Sequence, residues 1–166
     1  MEKRNLYTKD KKLTGEFVFK GDKIPKNRYY LTVMVWIQNS KNKFLLQKTS
    51  LQKENKWSTT GGHPKIGESS LLGIVTEIKE ELGIKIDANS LKLFKTVKTK
   101  DDFVDLYYLK SNINIKNIKV QKEEVEKAQW FIKEEVDDLI KNKEFLPTHI
   151  KFYYDFLLYL KKLNTK

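Results

Sequence analysis

The chain has 166 residues, 39% of them hydrophobic, enough for one packed core, and one domain spanning residues 1–166 is expected. Its formal charge of +11 is spread over lysines interleaved with acids. Arg4 and Arg28 are the only arginines, and no arginine–aromatic cluster occurs, so no specific nucleic-acid partner is expected. The absence of cysteine excludes thiolate catalysis, thiolate metal sites and disulfides. With no long apolar run and no apolar core near Met1, a cytoplasmic protein without a membrane partner is expected.

Tyr29–Gln38 is rich in β-branched and aromatic residues. Polar Asn39-Ser40-Lys41-Asn42 and then Lys43–Lys48 follow it, which predicts a β-hairpin. Lys56–Thr60 leads as a strand into Gly61-Gly62. From Ser69 to Leu82, the residues Leu71, Val75, Ile78 and Leu82 recur at helical spacing, with Glu68 and Ser69 at the start and Gly83 as the stop; an amphipathic helix is predicted. Leu91–Val97 and Phe103–Leu109 read as strands around a turn at Lys98–Asp102, and Ala128–Ile132 as a short strand. Lys133–Asn142 and Thr148–Leu163 read as helices, the second opened by Pro147 and carrying Phe152, Tyr153, Phe156 and Leu160 on a broad apolar face. Strands and helices alternate without a regular βαβ rhythm, which predicts an α/β fold with a mixed sheet between helices.

The helix at 69–82 carries the chemistry. At about 100° per residue, Glu80 lies about 60° to one side of Glu77 and Glu81 about 40° to the other, opposite the apolar stripe. Only Glu81 has a cation four residues on, Lys85, at the helix end. Three like charges on one arc destabilise a helix unless an external cation neutralises them, and an oxygen-liganded Mg2+ or Mn2+ suits that role. Upstream, Gly61-Gly62-His63-Pro64-Lys65-Ile66-Gly67-Glu68 holds three glycines, whose backbone can approach a ligand closely and offer carbonyl ligands.

Gly62, then Glu68, then Thr76-Glu77-Ile78-Lys79-Glu80-Glu81-Leu82-Gly83-Ile84 resembles the Nudix box, a loop–helix signature that here covers Gly62–Ile84. The resemblance implies a Nudix-type α/β/α sandwich. It also implies Glu77, Glu80 and Glu81 as catalytic residues and metal ligands, the Gly62 carbonyl as a further ligand, and Glu68 as a support from the loop. The implied reaction is attack of metal-activated water on a phosphorus of a diphosphate in a nucleoside-diphosphate-linked or related small molecule. One position departs. The family's arginine, which orients the carboxylates, is Thr76 here. Either a lysine from elsewhere fills the role, or the site is looser and the enzyme slower, or the chain has moved to another task such as non-catalytic binding.

Arg28-Tyr29-Tyr30-Leu31, Val35-Trp36-Ile37, Trp57, Gly61-Gly62-His63-Pro64 and Ile66-Gly67-Glu68-Ser69 are similar to type 1 isopentenyl diphosphate isomerases. That similarity raises isomerisation of an allylic diphosphate as the rival activity. In those enzymes a cysteine precedes Gly-His-Pro, where this chain has Gly61, and the places of two metal-binding histidines fall at Tyr30 and near Lys23. Hydrolysis is the better-equipped reaction.

Outside the box, Glu124 is preferred over Glu123 and Asp105 as a base or extra ligand, since many relatives keep a glutamate elsewhere for that purpose. His63, Arg28 and Trp57 are the candidate substrate contacts. For His63 a carbonyl hydrogen bond is the equal alternative, and for Trp57, Tyr107 and Phe103 core packing is the ordinary one. The partner expected is a small-molecule diphosphate, with a homodimer left open.

Overall fold

A computed structural model describes residues 1–165. Its centre is β3 (Tyr30–Gln38), an almost wholly apolar strand buried on both faces. β8 (Asp102–Lys110) runs parallel to it along its full length, from Tyr30↔Asp102 to Gln38↔Lys110, and β7 (Lys92–Lys98) lies antiparallel outside β8. The other side of β3 is forked. Val33–Val35 pairs antiparallel with β6 (Thr60–Gly62), while only Ile37 and Gln38 pair with β4 (Phe44–Thr49). The expected hairpin therefore forms, around Asn42 at positive φ, yet it is laddered over just two residue pairs. Past that point β4 turns away from β3 to pair with β5 (Trp57–Ser58), while its other edge pairs with β9 (Val125–Phe131) from Phe44 to Thr49. Thr59 breaks the predicted Lys56–Thr60 strand into β5 and β6, its hydroxyl donating to the Val35 carbonyl.

Side chains alternate across β3 and divide the interior into two cores. Val33, Val35 and Ile37 face α1 (Ser70–Leu82); Met34 and Trp36 face α2 (Lys133–Lys141) and α3 (Ile150–Asn164). On the second side Trp36 stacks on Phe156 with ring centroids 5.1 Å apart. The result is a mixed sheet between helices, an α/β/α sandwich. Among the described residues no helix is long and apolar enough to cross a membrane.

α1 starts as predicted, with Ser69 Oγ accepting from the Leu72 N–H at 3.1 Å, and stops at Gly83, which is left-handed at φ 66° and donates to the Lys79 carbonyl. Its buried stripe differs from the expectation. Ile74, Ile78 and Leu82 are fully buried, whereas Leu71 is 37% exposed. The helix is turned so that Gly73 rests on Pro64, where a Cβ would stand 2.6 Å from the proline Cγ. This rotation carries Glu81 to the edge of the buried stripe.

A further departure lies at the start of the chain. Residues before Tyr29 carry a second, two-stranded sheet, β1 (Lys3–Tyr7) and β2 (Leu13–Phe19), turned at Lys11 with φ 59°. Leu6 and Tyr7 anchor it by burial, and Tyr7 exchanges backbone hydrogen bonds with Tyr29 at 2.9 and 3.0 Å.

Candidate active site

The fork in the sheet makes the site. Because β4 leaves β3, the short strand β6 takes its place and delivers Gly61 and Gly62 beneath the last two turns of α1. A Cβ on Gly62 would overlap the Glu77 carboxyl. Glycine is needed there for the close approach, not for its backbone angles.

The three box acids sit in graded surroundings. Glu81 is 8% exposed and accepts from Gln47 Nε2 at 2.7 Å; Thr60 Oγ1 in turn donates to Gln47 Oε1 at 2.7 Å, which fixes the amide. Burial raises the Glu81 carboxyl to about 7, against the lowering effect of the bonds from Gln47 and from the Gly61 backbone. Glu77 is half-buried, and its carboxyl is pushed up to about 8, first by burial and then by the charges of Glu81 and Glu80. Glu80 is exposed and paired with Lys65 Nζ from the loop. Among the described residues no three acidic or histidine side chains are gathered as a preformed metal set. Two crowded carboxyls with raised affinity for protons, next to backbone carbonyls of a glycine pair, are nonetheless the oxygen-rich donors a hard divalent cation takes. Glu77, Glu81 and the Gly62 carbonyl could hold one, with Glu80 joining on release from Lys65.

Thr76, at the position of the family's arginine, is occupied structurally. Its Oγ1 donates to Glu68 Oε1 at 2.7 Å, while Glu68 Oε2 accepts from the Lys65 N–H at 2.8 Å. The loop is thereby tied to the helix by Glu68, and the loop lysine reaches Glu80. Lys65 is a residue that sequence reasoning missed; a lysine 15 positions from its partner gives no periodic signal.

Glu124 lies in the segment that follows the end of α1 in space: Gln121 N–H donates to the Glu81 carbonyl at 3.2 Å, and Ser50 N–H to the Glu124 carbonyl at 2.9 Å. Its carboxylate is paired with Lys53, whose charge also acts on Glu81. Glu124 and the box acids therefore share one end of α1. The neighbouring candidate Asp105 is elsewhere and fully buried, accepting from Lys11 Nζ, Ser70 Oγ and Thr96 Oγ1, each at 2.5 Å. It ties the hairpin turn to the start of α1.

Of the substrate candidates, His63 adjoins Gly62 and turns one ring nitrogen to the Leu31 carbonyl at 3.0 Å; burial, then Arg4, hold its pKa below the ordinary value. It also lines a cavity of about 390 Å3. Arg28 and Trp57 are not brought to this cluster. Arg28 pairs with Glu16 on the outer strand of the hairpin at 2.5 Å. Trp57 is buried edge-on to Phe131, with centroids 4.7 Å apart, as core packing requires.

A model of the NUDIX domain matches residues 28–156. The chain is 31% identical to an uncharacterized Nudix hydrolase of Listeria monocytogenes over 99% of this chain and 98% of that protein. Among solved structures, DR0079 of Deinococcus radiodurans superposes with a TM-score of 0.71 at 21% identity, covering 87% of this chain and 91% of that one. The Nudix domain of NrtR from Shewanella oneidensis, solved with ADP ribose, gives 0.57 at 17% identity over 75% of this chain and 83% of that one. The matched domain and the full-length relative together place the chain in the Nudix hydrolase family, enzymes that act on pyrophosphate bonds.

Proposed function

We propose that the chain works as one Nudix domain that hydrolyses the pyrophosphate bond of a nucleoside-diphosphate-linked small molecule with Mg2+ or Mn2+. The observation that carries this reading is the pair Glu77 and Glu81, held together at the glycine strand with carboxyls raised to about 8 and about 7. Such a pair binds either protons or a cation, and a divalent cation relieves the repulsion that burial intensifies. When bound, the metal supplies positive charge against the oxygens of the diphosphate and acidifies water. Gln47 holds Glu81 in one orientation, and Gly62 allows Glu77 to lie against the strand. Lys65, now paired with Glu80, would be free to face a phosphate oxygen if Glu80 served as a ligand. Glu124, on the same end of the helix, accepts the proton of the attacking water once Lys53 turns to the substrate's negative charge.

The isomerase reading finds less support. A Cβ at Gly61 would overlap the Val33 carbonyl, so the isomerase cysteine has no room at this strand position. The Shewanella domain was solved with ADP ribose, which makes that compound the first to try.

Incubation with Mg2+ or Mn2+ and nucleoside di- and triphosphates, dinucleotide polyphosphates, nucleotide sugars, ADP-ribose and isopentenyl diphosphate, with products identified by mass, tests the proposal. Cleavage of a phosphoanhydride that disappears in Glu81→Gln supports it. Absence of cleavage across the panel refutes hydrolysis, and conversion of isopentenyl diphosphate to its isomer would reinstate the rival.

A further inference from the structure

The hairpin that precedes Tyr29 brings charge to the edge of the box. Side chains alternate along β1. Lys3 lies over the exposed ring of Phe17, its Nζ 4.3 Å from the ring centre, while Arg4 faces the other way, toward the box loop. The Arg4 guanidinium stands over the Tyr30 ring at 5.5 Å, and the Tyr30 ring meets His63 edge-on at 5.7 Å. Arg4 also shares a crevice with His63 and Pro64. Its side chain is only 16% exposed.

Glu2 is claimed by two cations. Its Oε1 accepts from Arg4 Nε at 3.2 Å and its Oε2 lies 3.3 Å from Lys20 Nζ, while the Lys20 N–H donates to the Glu2 carbonyl at 2.9 Å. Burial raises the Glu2 carboxyl, and Arg4 and Lys20 together outweigh it, leaving the group below its ordinary value. Two positive charges thus face one negative charge. The cluster adjoins the box acids: Glu2 acts on Glu77, and both Glu2 and Arg4 act on His63, the neighbour of Gly62. Glu77 repels an anion at this spot as it repels Glu2, and neutralising Glu77 relieves both. A phosphate group, with more oxygens and a charge of about −2, matches the two cations better than a carboxylate does. The planar fork of arginine suits that group, and stacking on Tyr30 holds the fork ready at a small cost in entropy.

We infer that Arg4 and Lys20 form a seat for a phosphate group of the substrate, and that Glu2 occupies this seat until the substrate displaces it. The seat lies before the matched domain at residues 28–156, so the hairpin contributes to the site what the domain itself does not carry. That the anion belongs to a substrate rests on the hydrolase reading above; that the pair takes a phosphate group does not.

The two arginines make the test local. Each gives one Nε–H signal in the NMR spectrum of the nitrogen-labelled full-length protein, Arg4→Lys assigns them, and Arg28, bonded to Glu16, is the internal control. Inorganic pyrophosphate, added in EDTA at low ionic strength, is expected to move the Arg4 signal to saturation and leave the Arg28 signal in place. Glu2→Gln removes the competing carboxylate and should lower the midpoint about tenfold, the size of one hydrogen bond to a charged group. Lys20→Gln, at a more exposed position, should raise it about threefold. ADP-ribose and nucleoside diphosphates should move the same signal with the same response to Glu2→Gln. An Arg4 signal that stays still or moves in step with Arg28, or a midpoint unchanged in Glu2→Gln, would overturn the inference. A response to inorganic pyrophosphate with none to any diphosphate ester would overturn the assignment to a substrate. Esters that bind at Arg4 without cleavage of any compound would remove the hydrolase reading and leave the seat standing; cleavage with a still Arg4 signal would do the reverse.

Discussion

Glu77→Gln separates the cost of the site from its use. Burial and Glu81 hold the Glu77 carboxyl at about 8 in place of its ordinary 4.5. At about 1.36 kcal/mol per pH unit, ionising it in the folded metal-free protein costs at most about 5 kcal/mol, and about 2–3 kcal/mol once the water reaching this half-buried group is counted. The folded-state value lies above the unfolded one. The penalty is therefore absent below pH 4.5, grows as pH rises, and is complete above pH 8. Glutamine has no charge to ionise and escapes it. Urea denaturation in EDTA from pH 5 to 9 should show Glu77→Gln gaining on the natural protein with rising pH, by about 2–3 kcal/mol at pH 8.5. Saturating Mg2+ should reverse the order, because only the natural protein retains the ligand set. The variant should also lose at least about a hundredfold in kcat/KM. A stability difference that stays constant across the pH range, or a natural protein more stable than the variant at pH 8.5 in EDTA, would refute the account of a strained carboxyl pair.

Three further perturbations address the supporting structure. Gly62→Ala sets a methyl group into the Glu77 carboxyl, and metal affinity measured by calorimetry should fall at least about tenfold while the circular dichroism spectrum is retained. Gly73→Ala presses on Pro64 and should cost about 1–3 kcal/mol in urea denaturation, since neither the helix nor the proline ring can yield. Gln47→Leu removes a donor that lowers the Glu81 pKa, so the acid limb of the rate profile should move to higher pH by about one unit; a limb that stays in place would show that Glu81 does not govern it.

The box was legible because its information is local. Loop glycines, helix acids and the stop at Gly83 stand at fixed spacing, and the central strands announce themselves through runs rich in β-branched and aromatic residues. What escaped depends on contacts between distant segments. Either of two apolar rows on α1 could have faced the sheet, and the contact of Gly73 with Pro64 selects the one with Ile74, which buries Glu81. The hairpin at 3–19 was hidden because β2 exposes Leu13 and Phe17 and shows no half-buried alternation, while its turn uses Lys11 at positive φ without a glycine. The cavity beside His63 is assembled from the starts of β3, β8 and α3, and nothing in the spacing of Asp102 and His149 announces that both line it.

Thr76 shows how a box can lose its arginine and keep its geometry. An arginine on the helix would supply both a hydrogen-bond fork and a fixed positive charge. Here the two tasks are divided: the Thr76 hydroxyl binds Glu68 and so fixes the loop, and the fixed loop presents Lys65 to Glu80. A lysine on a loop, 55% exposed at its side chain, is a looser cation than an arginine on the helix and gives up its carboxylate at lower cost. The division therefore leaves the metal-free site neutralised at its exposed acid and crowded at half-buried Glu77 and buried Glu81. On the proposed function, a divalent cation would gain most at Glu77 and Glu81, where the carboxyls are crowded, and would recruit Glu80 in competition with Lys65.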